Sequence, residues 1–318
     1  MLWYNIFMAK RVSTKIQEFN GRRTTWLNVS EANLHTLREL NERFPLHEHD
    51  LRELLPPLQN TKCIIRNNYV FLVLILPIRD QKTKDIHEVE LDIILNKDTL
   101  ITVNHANRLV EMVSIIDEMG NATSREHFLA ESPSNVLLFI LEKIYRSMFP
   151  LLLELSRDIR DVEERMFANY DNEKIIREAL ILKNNNTRVR KALKTHRYTL
   201  IQLKEAVAEL SPVNIVNFTQ VINQTVDIWN SLEADRETID TLHDTMSTLV
   251  SNHINKIMKI LTSVTTIIFS LEFVATLMAL NTSSGSPFGP PYGFFIVNGT
   301  MLVCALLSIA FFRMKKWI

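Results

Sequence analysis

Apolar residues are distributed along the 318-residue chain in two different rhythms. Up to about Ala122, short runs rich in Ile, Val, Leu and Thr alternate with stretches whose apolar residues recur every three or four positions. TTWLNV (24–29) reads as a strand. In SEANLHTLRELNERF, Leu34, Leu37 and Leu40 lie at helix spacing behind Ser30 as N-cap, and PLHEHDLRELL gives a second short helix that Pro56 and Pro57 stop. TKCIIRN, YVFLVLIL, HEVELDIIL and DTLITVNH then supply four strands, with Asn67-Asn68 and RDQKTKD as turns. Residues 1–132 are therefore expected to form an α/β domain, α+β in class, on a largely antiparallel sheet.

After this domain the rhythm becomes helical. Between Ser134 and Leu280 there is no glycine, and proline occurs only at Pro150 and Pro212, which is the composition of long helices. Residues 133–210 read as an antiparallel hairpin: one helix ends at the polar turn ANYDNEK, and IIREALILKNNNTRVRKALKTHRYTLIQLKEAVAEL returns as the second. Its acidic and basic faces fit solvated surfaces. Ser211-Pro212 reads as an N-cap with proline at the first helical position. From there the 211–281 stretch is uninterrupted, a rod of roughly 100 Å at about 1.5 Å per residue.

Two runs are apolar and long enough to cross a bilayer, Met258 to Leu280 and Phe294 to Phe312. The expected order is a stalk continuing into the first span at 211–281, an external loop at 282–293, a second span at 294–313 and a basic tail at 314–318. Lys256 and Lys259 precede the first run, Arg313, Lys315 and Lys316 follow the second, and residues 281–300 contain neither Lys nor Arg. The positive-inside rule then puts both termini in the cytoplasm of an inner or plasma membrane.

One stripe of the stalk does not suit lipid. Asp244, Thr248, Ser251, Asn255, Met258, Thr262, Thr265, Phe269, Glu272 and Thr276 follow one another in alternating steps of four and three, so they share one side of a gently supercoiled helix. A soluble coiled coil would place Leu or Ile there. Polar side chains at membrane depth face protein or water, and an intramembrane Glu is costly unless wet or paired. Several copies around one axis would line a pore with this seam.

Composition narrows the remaining classes. Lys plus Arg and Asp plus Glu both total 36, so net charge gives no argument for a nucleic acid partner. Cys63 and Cys304 cannot build a disulfide framework or a zinc cluster. Only Gly21 and Gly120 precede residue 285, which leaves no phosphate-cradling loop, and no nucleophile, base and orienting group can be assembled. An enzyme with a resident cofactor is not expected. His47 and His49, beside Glu48 and Asp50, have the wrong spacing for two metal ligands on one helix face. MLWYNIFMAKRVSTK places its apolar residues before its basic ones, unlike a secretory signal.

The run VSNHINKIMKILTSVTTIIF, the long helix before it, the two apolar spans and the ending RMKKWI resemble the CorA-type magnesium transporter family. WLNV, FPLHEHDLREL, YVFLVLILPIRD and DTLITVNH agree with it in order, so the resemblance covers nearly the whole chain. It implies a homopentameric funnel in the membrane, with the chain's own copies, lipid and a transported divalent cation, magnesium favoured, as partners. The family ends its first span with Tyr-Gly-Met-Asn, where this chain has Met278-Ala279-Leu280-Asn281. By the resemblance Ala279, Leu280 and Asn281 form the selectivity mouth, and Asn281 contacts a cation that keeps its water shell, as magnesium does.

The same resemblance implies a role for the rest of the seam. Asp244 matches a carboxylate on the cytoplasmic approach to the pore, Asn255 and Met258 match its cytoplasmic entrance, and Phe269 is a candidate hydrophobic constriction. Glu272 stands where relatives have a pore-facing threonine, which makes it a candidate metal contact. A proline common in the first span is replaced by Ser270, and the outer loop TSSGSPFGPPYG lacks the usual acidic residues. Where relatives place an aspartate used in divalent sensing this chain has Gln220, so Asp80, matching the partner carboxylate, keeps half a metal site. Two alternatives stay open: a zinc or other divalent transporter with proton coupling through Glu272, as in ZntB-type relatives, or a non-conducting membrane-anchored sensor or scaffold.

Overall fold

A computed structural model describes residues 16–30, 32–55, 59–105, 108–168, 173–210, 213–279, 293–315 and 317. The chain divides into two compact units, Met1–Arg165 with Glu173–Thr241, and Met166–Asn172 with Leu242–Ile318.

The first unit is built on a six-stranded sheet of β1 (Ile16–Asn20), β2 (Thr25–Val29), β3 (Lys62–Ile65), β4 (Val70–Arg79), β5 (Ile86–Leu95) and β6 (Thr99–Asn104). The spatial order is β1-β2-β6-β5-β4-β3, and only the β2–β6 pair is parallel. β1 had no separate signal in the sequence, because an edge strand with one uncovered face needs few apolar residues, and IQEFN carries only Ile16 and Phe19. Asn67-Asn68 make the expected tight turn, closed by the Arg66 N–H donating to the Tyr69 carbonyl at 2.9 Å. In the β4–β5 turn Lys84 takes a positive φ of 61°.

One sheet face is covered by α1 (Leu34–Arg43) and α2 (Glu48–Glu53), where Leu37, Leu40 and Leu54 join Leu27, Val29, Phe71, Val73, Ile94, Ile101 and Val103 in one core. The cap of α1 is Asn33 and not Ser30. Its extended backbone lets Oδ1 accept from the His35 and Thr36 N–H groups at 3.1 and 3.0 Å. His47 caps α2 in the same way, its Nδ1 accepting from the His49 N–H at 3.3 Å. Pro56 and Pro57 lie outside the described residues. Asp50, in α2, is buried and accepts from Arg66 through two nitrogens, at 2.9 and 2.6 Å, and from the Tyr69 hydroxyl at 2.6 Å. Burial works against its charge, but these donors hold the carboxyl below the usual range.

Helices α3 (Val110–Glu118) and α4 (Ala122–Phe128) lead into α5 (Pro133–Ala168), which runs through Pro150. The return is two helices rather than the expected one, α6 (Glu173–Leu193) and α7 (His196–Leu210), separated by a turn at 194–195. Tertiary bonding accounts for the break. His196 is completely buried, with Nε2 3.0 Å from the Ile75 carbonyl of β4 and Nδ1 2.7 Å from the Tyr145 hydroxyl of α5. A carbonyl can only accept, so Nε2 carries the proton and Nδ1 accepts from Tyr145. Burial pushes the imidazole down to about 4, which keeps it neutral. The Arg165–Glu178 ion pair beside the polar turn and the Tyr145–His196 bond far from it fit antiparallel packing of the hairpin.

Helix α8 (Ile215–Ala279) is 65 residues long without a break. Ser211 and Pro212 lie outside the described residues, and Asn214 closes the first turn, its Oδ1 accepting from the Asn217 N–H at 3.2 Å. In the first unit α8 is tied to α6 by Arg190–Glu233 at 2.6 Å and Lys183–Asp240 at 3.3 Å, and to α5 by the Ser156 hydroxyl donating to Asp235. Some charges of the hairpin thus serve ion pairs between helices. The second unit holds the rest of α8 and α9 (Gly293–Met314).

Candidate ion pathway

Helix α8 contains a stretch long and apolar enough to cross a membrane, and the apolar stretch of α9 runs over Asn298–Met314. Ile254, Ile257, Ile260, Leu261, Val264, Ile268 and Phe273 are all exposed on α8 of the single chain. That much uncovered apolar surface calls for lipid or other protein around it.

The ten seam residues occupy one stripe of this helix, and all are exposed except the half-buried Thr265. Ser263, Ile267, Ser270 and Val274 are buried or half-buried and repeat in steps of four, three and four. At about 100° per residue this covered stripe and the seam from Thr262 to Thr276 point roughly 150° apart. The side of α8 that carries the seam is therefore a side its own chain leaves open. Thr248, Thr265 and Thr276 each donate their hydroxyl to the backbone carbonyl four residues earlier, at 3.0, 2.8 and 2.8 Å. Their hydrogens are used within the helix, and oxygen lone pairs remain to face a cation or water. Glu272 is exposed on the same stripe, and Asp244 is 91% exposed in the second unit.

The remaining predicted residues are placed unevenly. Ala279 is the last residue of α8, whereas Leu280, Asn281 and the loop through residue 292 lie outside the described residues. Arg313 lies in the last turn of α9 and Lys315 is exposed after it, with the Trp317 ring tilted against Phe312, centroids 5.8 Å apart; Lys316 is outside the described residues. Asp80 does not join a cluster of metal-ligating side chains among the described residues. Its Oδ1 accepts from the backbone N–H groups of Lys82 and Thr83 at 2.7 and 3.0 Å, which lowers its pKa and devotes the carboxylate to the β4–β5 turn. Gln220 is exposed on α8. Cys63 and Cys304 are free thiols, and burial pushes Cys63 up to about 11.

A second cluster had not been read from the sequence. Glu90, Asp92 and His105 bring one ligand atom each to within 4.8 Å of one another, with both carboxylates buried. The signal available was three acids, Glu88, Glu90 and Asp92, at two-residue spacing in the strand HEVELDIIL, since such acids share a face. Burial raises Asp92 to about 7, and the Asp92 carboxylate beside His105 raises the imidazole.

A family model described as "CorA-like Mg2+ transporter protein" matches residues 21–316. The chain belongs to this CorA-like family. The cobalt/magnesium transport protein CorA of Thermotoga maritima is 25% identical over 298 residues, covering 92% of this chain and 83% of that protein. The protein of the same name from Methanocaldococcus jannaschii is 24% identical over 311 residues, 96% of each chain. The complete structure of the CorA magnesium transporter from Methanocaldococcus jannaschii superposes with a TM-score of 0.81 at 21% identity, covering 93% of this chain and 92% of that one. At that identity the superposition establishes a CorA fold, and the family is one of transporters rather than enzymes.

Proposed function

We propose that the chain is an inner-membrane divalent cation transporter, a homopentamer in which five α8 seams line one pore and α9 supplies a second span around it. The observation that carries this reading is the uncovered polar stripe opposite the covered one. In a ring of copies it becomes the inner wall, while the exposed Ile, Leu and Phe side chains of the other faces meet lipid and neighbouring subunits. The cation passes Asn281, Glu272 and the Thr rings towards Met258, Asn255 and Asp244. Magnesium is the favoured cargo because relatives are named for magnesium and cobalt transport.

A second reading within the same architecture rests on Glu272, a carboxylate exposed on the seam. Ion binding there would compete with protons, giving a zinc or other divalent transporter coupled to a pH gradient. A third, a non-conducting sensor or scaffold, draws on the seam hydroxyls that bond their own helix and so need no ion. Purified protein in proteoliposomes, assayed with Mg²⁺, Co²⁺, Ni²⁺ and Zn²⁺ with and without a pH gradient, separates the three. The proposal expects Mg²⁺ and Co²⁺ flux that is indifferent to the gradient, with an ion preference or pH profile that Glu272→Gln changes. Zinc flux that follows the gradient and loses that dependence in Glu272→Gln would establish the second reading, and no flux of any ion would leave the third.

A further inference from the structure

We propose that Glu90, Asp92 and His105 form a binding site for one first-row transition-metal dication, Zn²⁺ or Co²⁺ rather than Mg²⁺, within the α/β unit. This inference does not depend on conduction along α8.

Strand register brings the three residues together. In the antiparallel β5–β6 pair Leu91 faces Asn104 and Asp92 faces Val103. One step further along the same register sets Glu90 opposite His105, so these two side chains leave the sheet on one face, and Asp92, two residues from Glu90, leaves on that face too. The same face carries Val73, Ile94, Ile101 and Val103 of the core beneath α1 and α2. Two carboxylates are thus planted at the margin of an apolar layer, where an uncompensated charge is costly.

The hydrogen bonding around them is incomplete. Asp92 is fully buried, yet neither of its carboxylate oxygens accepts a hydrogen bond. The nearest cationic partner, His105 Nε2, stands 3.6 Å from Oδ2, beyond hydrogen-bond range. Glu90 is held differently: its Oε2 accepts from the Gln59 backbone N–H, which orients the carboxylate. A side chain this buried and this poor in donors is aimed at something that supplies positive charge.

The donor set indicates which charge. Two carboxylates contribute two negative charges and match a dication, and an imidazole nitrogen selects zinc-like ions over Mg²⁺ and Ca²⁺, which prefer six or more oxygens. Ligands about 2.0–2.2 Å from a common zinc lie about 3–4 Å apart, so closing from separations within 4.8 Å takes side-chain rotation and no movement of the strands. His105 is 25% exposed at the side chain and gives an ion and its remaining waters a way in.

The test is equilibrium binding, not flux. Full-length protein in detergent, stripped with chelator and kept in millimolar Mg²⁺ to fill oxygen-only sites, is titrated with Zn²⁺ by calorimetry and with Co²⁺ by visible absorption. The wild type should bind one ion per chain through this site, and Asp92→Asn and His105→Gln should each weaken that event tenfold or more. Zinc should also raise the melting temperature of the wild type but not of either variant. Should the buried Asp92→Asn fail to fold, the comparison rests on His105→Gln, whose residue is at the margin. Equal zinc stoichiometry and affinity in wild type and His105→Gln, or displacement of the ion by Mg²⁺, would overturn the proposal and leave the cluster an ordinary buried ion pair.

Discussion

Asp50 and Asp92 are both buried aspartates of the first unit, and their neighbours give them opposite chemistry. Asp50 receives two nitrogens of Arg66 and the hydroxyl of Tyr69, so it stays charged, whereas Asp92 receives no hydrogen bond and is driven up to about 7. Asp50→Asn removes the negative charge and one of the two acceptor oxygens that a partly exposed guanidinium and a phenol share, and it is expected to destabilise the fold by about 2–4 kcal/mol at neutral pH in chemical denaturation. Its pKa is lower folded than unfolded. The stabilisation it provides is therefore complete above about pH 4 and is lost as pH falls through the folded value. The gap between wild type and Asp50→Asn should close on acidification below pH 4, and a gap that widens there would contradict this account.

At the scale of elements, Gly21 shows how closely the β1–β2 turn meets the segment after α4. A Cβ on Gly21 would lie 2.2 Å from the Leu129 Cβ and 2.6 Å from the Leu129 carbonyl oxygen, backbone that cannot swing aside. Gly21→Ala should cost about 1–3 kcal/mol by thermal or chemical denaturation, as overpacking does, and an unchanged midpoint would refute the close approach. The strands from Lys62 to Asn104 were legible because long apolar runs between turn residues are a local signal. What stayed hidden depends on contacts distant in sequence: the edge position of β1 and the break before His196 that Ile75 and Tyr145 fix. The seam on α8 was legible because helical period is local too. The Glu90–Asp92–His105 cluster was not, since residues 90 and 105 meet only through the β5–β6 register.

At the scale of the whole molecule, a single chain leaves α8 in an unsatisfactory state, with apolar residues exposed on several sides and a polar stripe on another. The proposed cyclic assembly would resolve both, because rotation about one axis brings identical stripes together and buries the flanks against neighbours. The central claim, that the seam lines a cation pathway, is tested most directly by thiol modification during flux. In a Cys304→Ala background, Cys63 being half-buried and held as the thiol, Thr262→Cys and Thr276→Cys are compared with Ile267→Cys and Val274→Cys on the covered stripe. A charged, water-soluble thiol reagent should abolish most of the Mg²⁺ or Co²⁺ flux of the two seam variants, more slowly when the cation is present, and leave the other two unaffected. Flux that survives modification at both seam positions, or that is lost only from the covered stripe, would show that the pathway lies elsewhere.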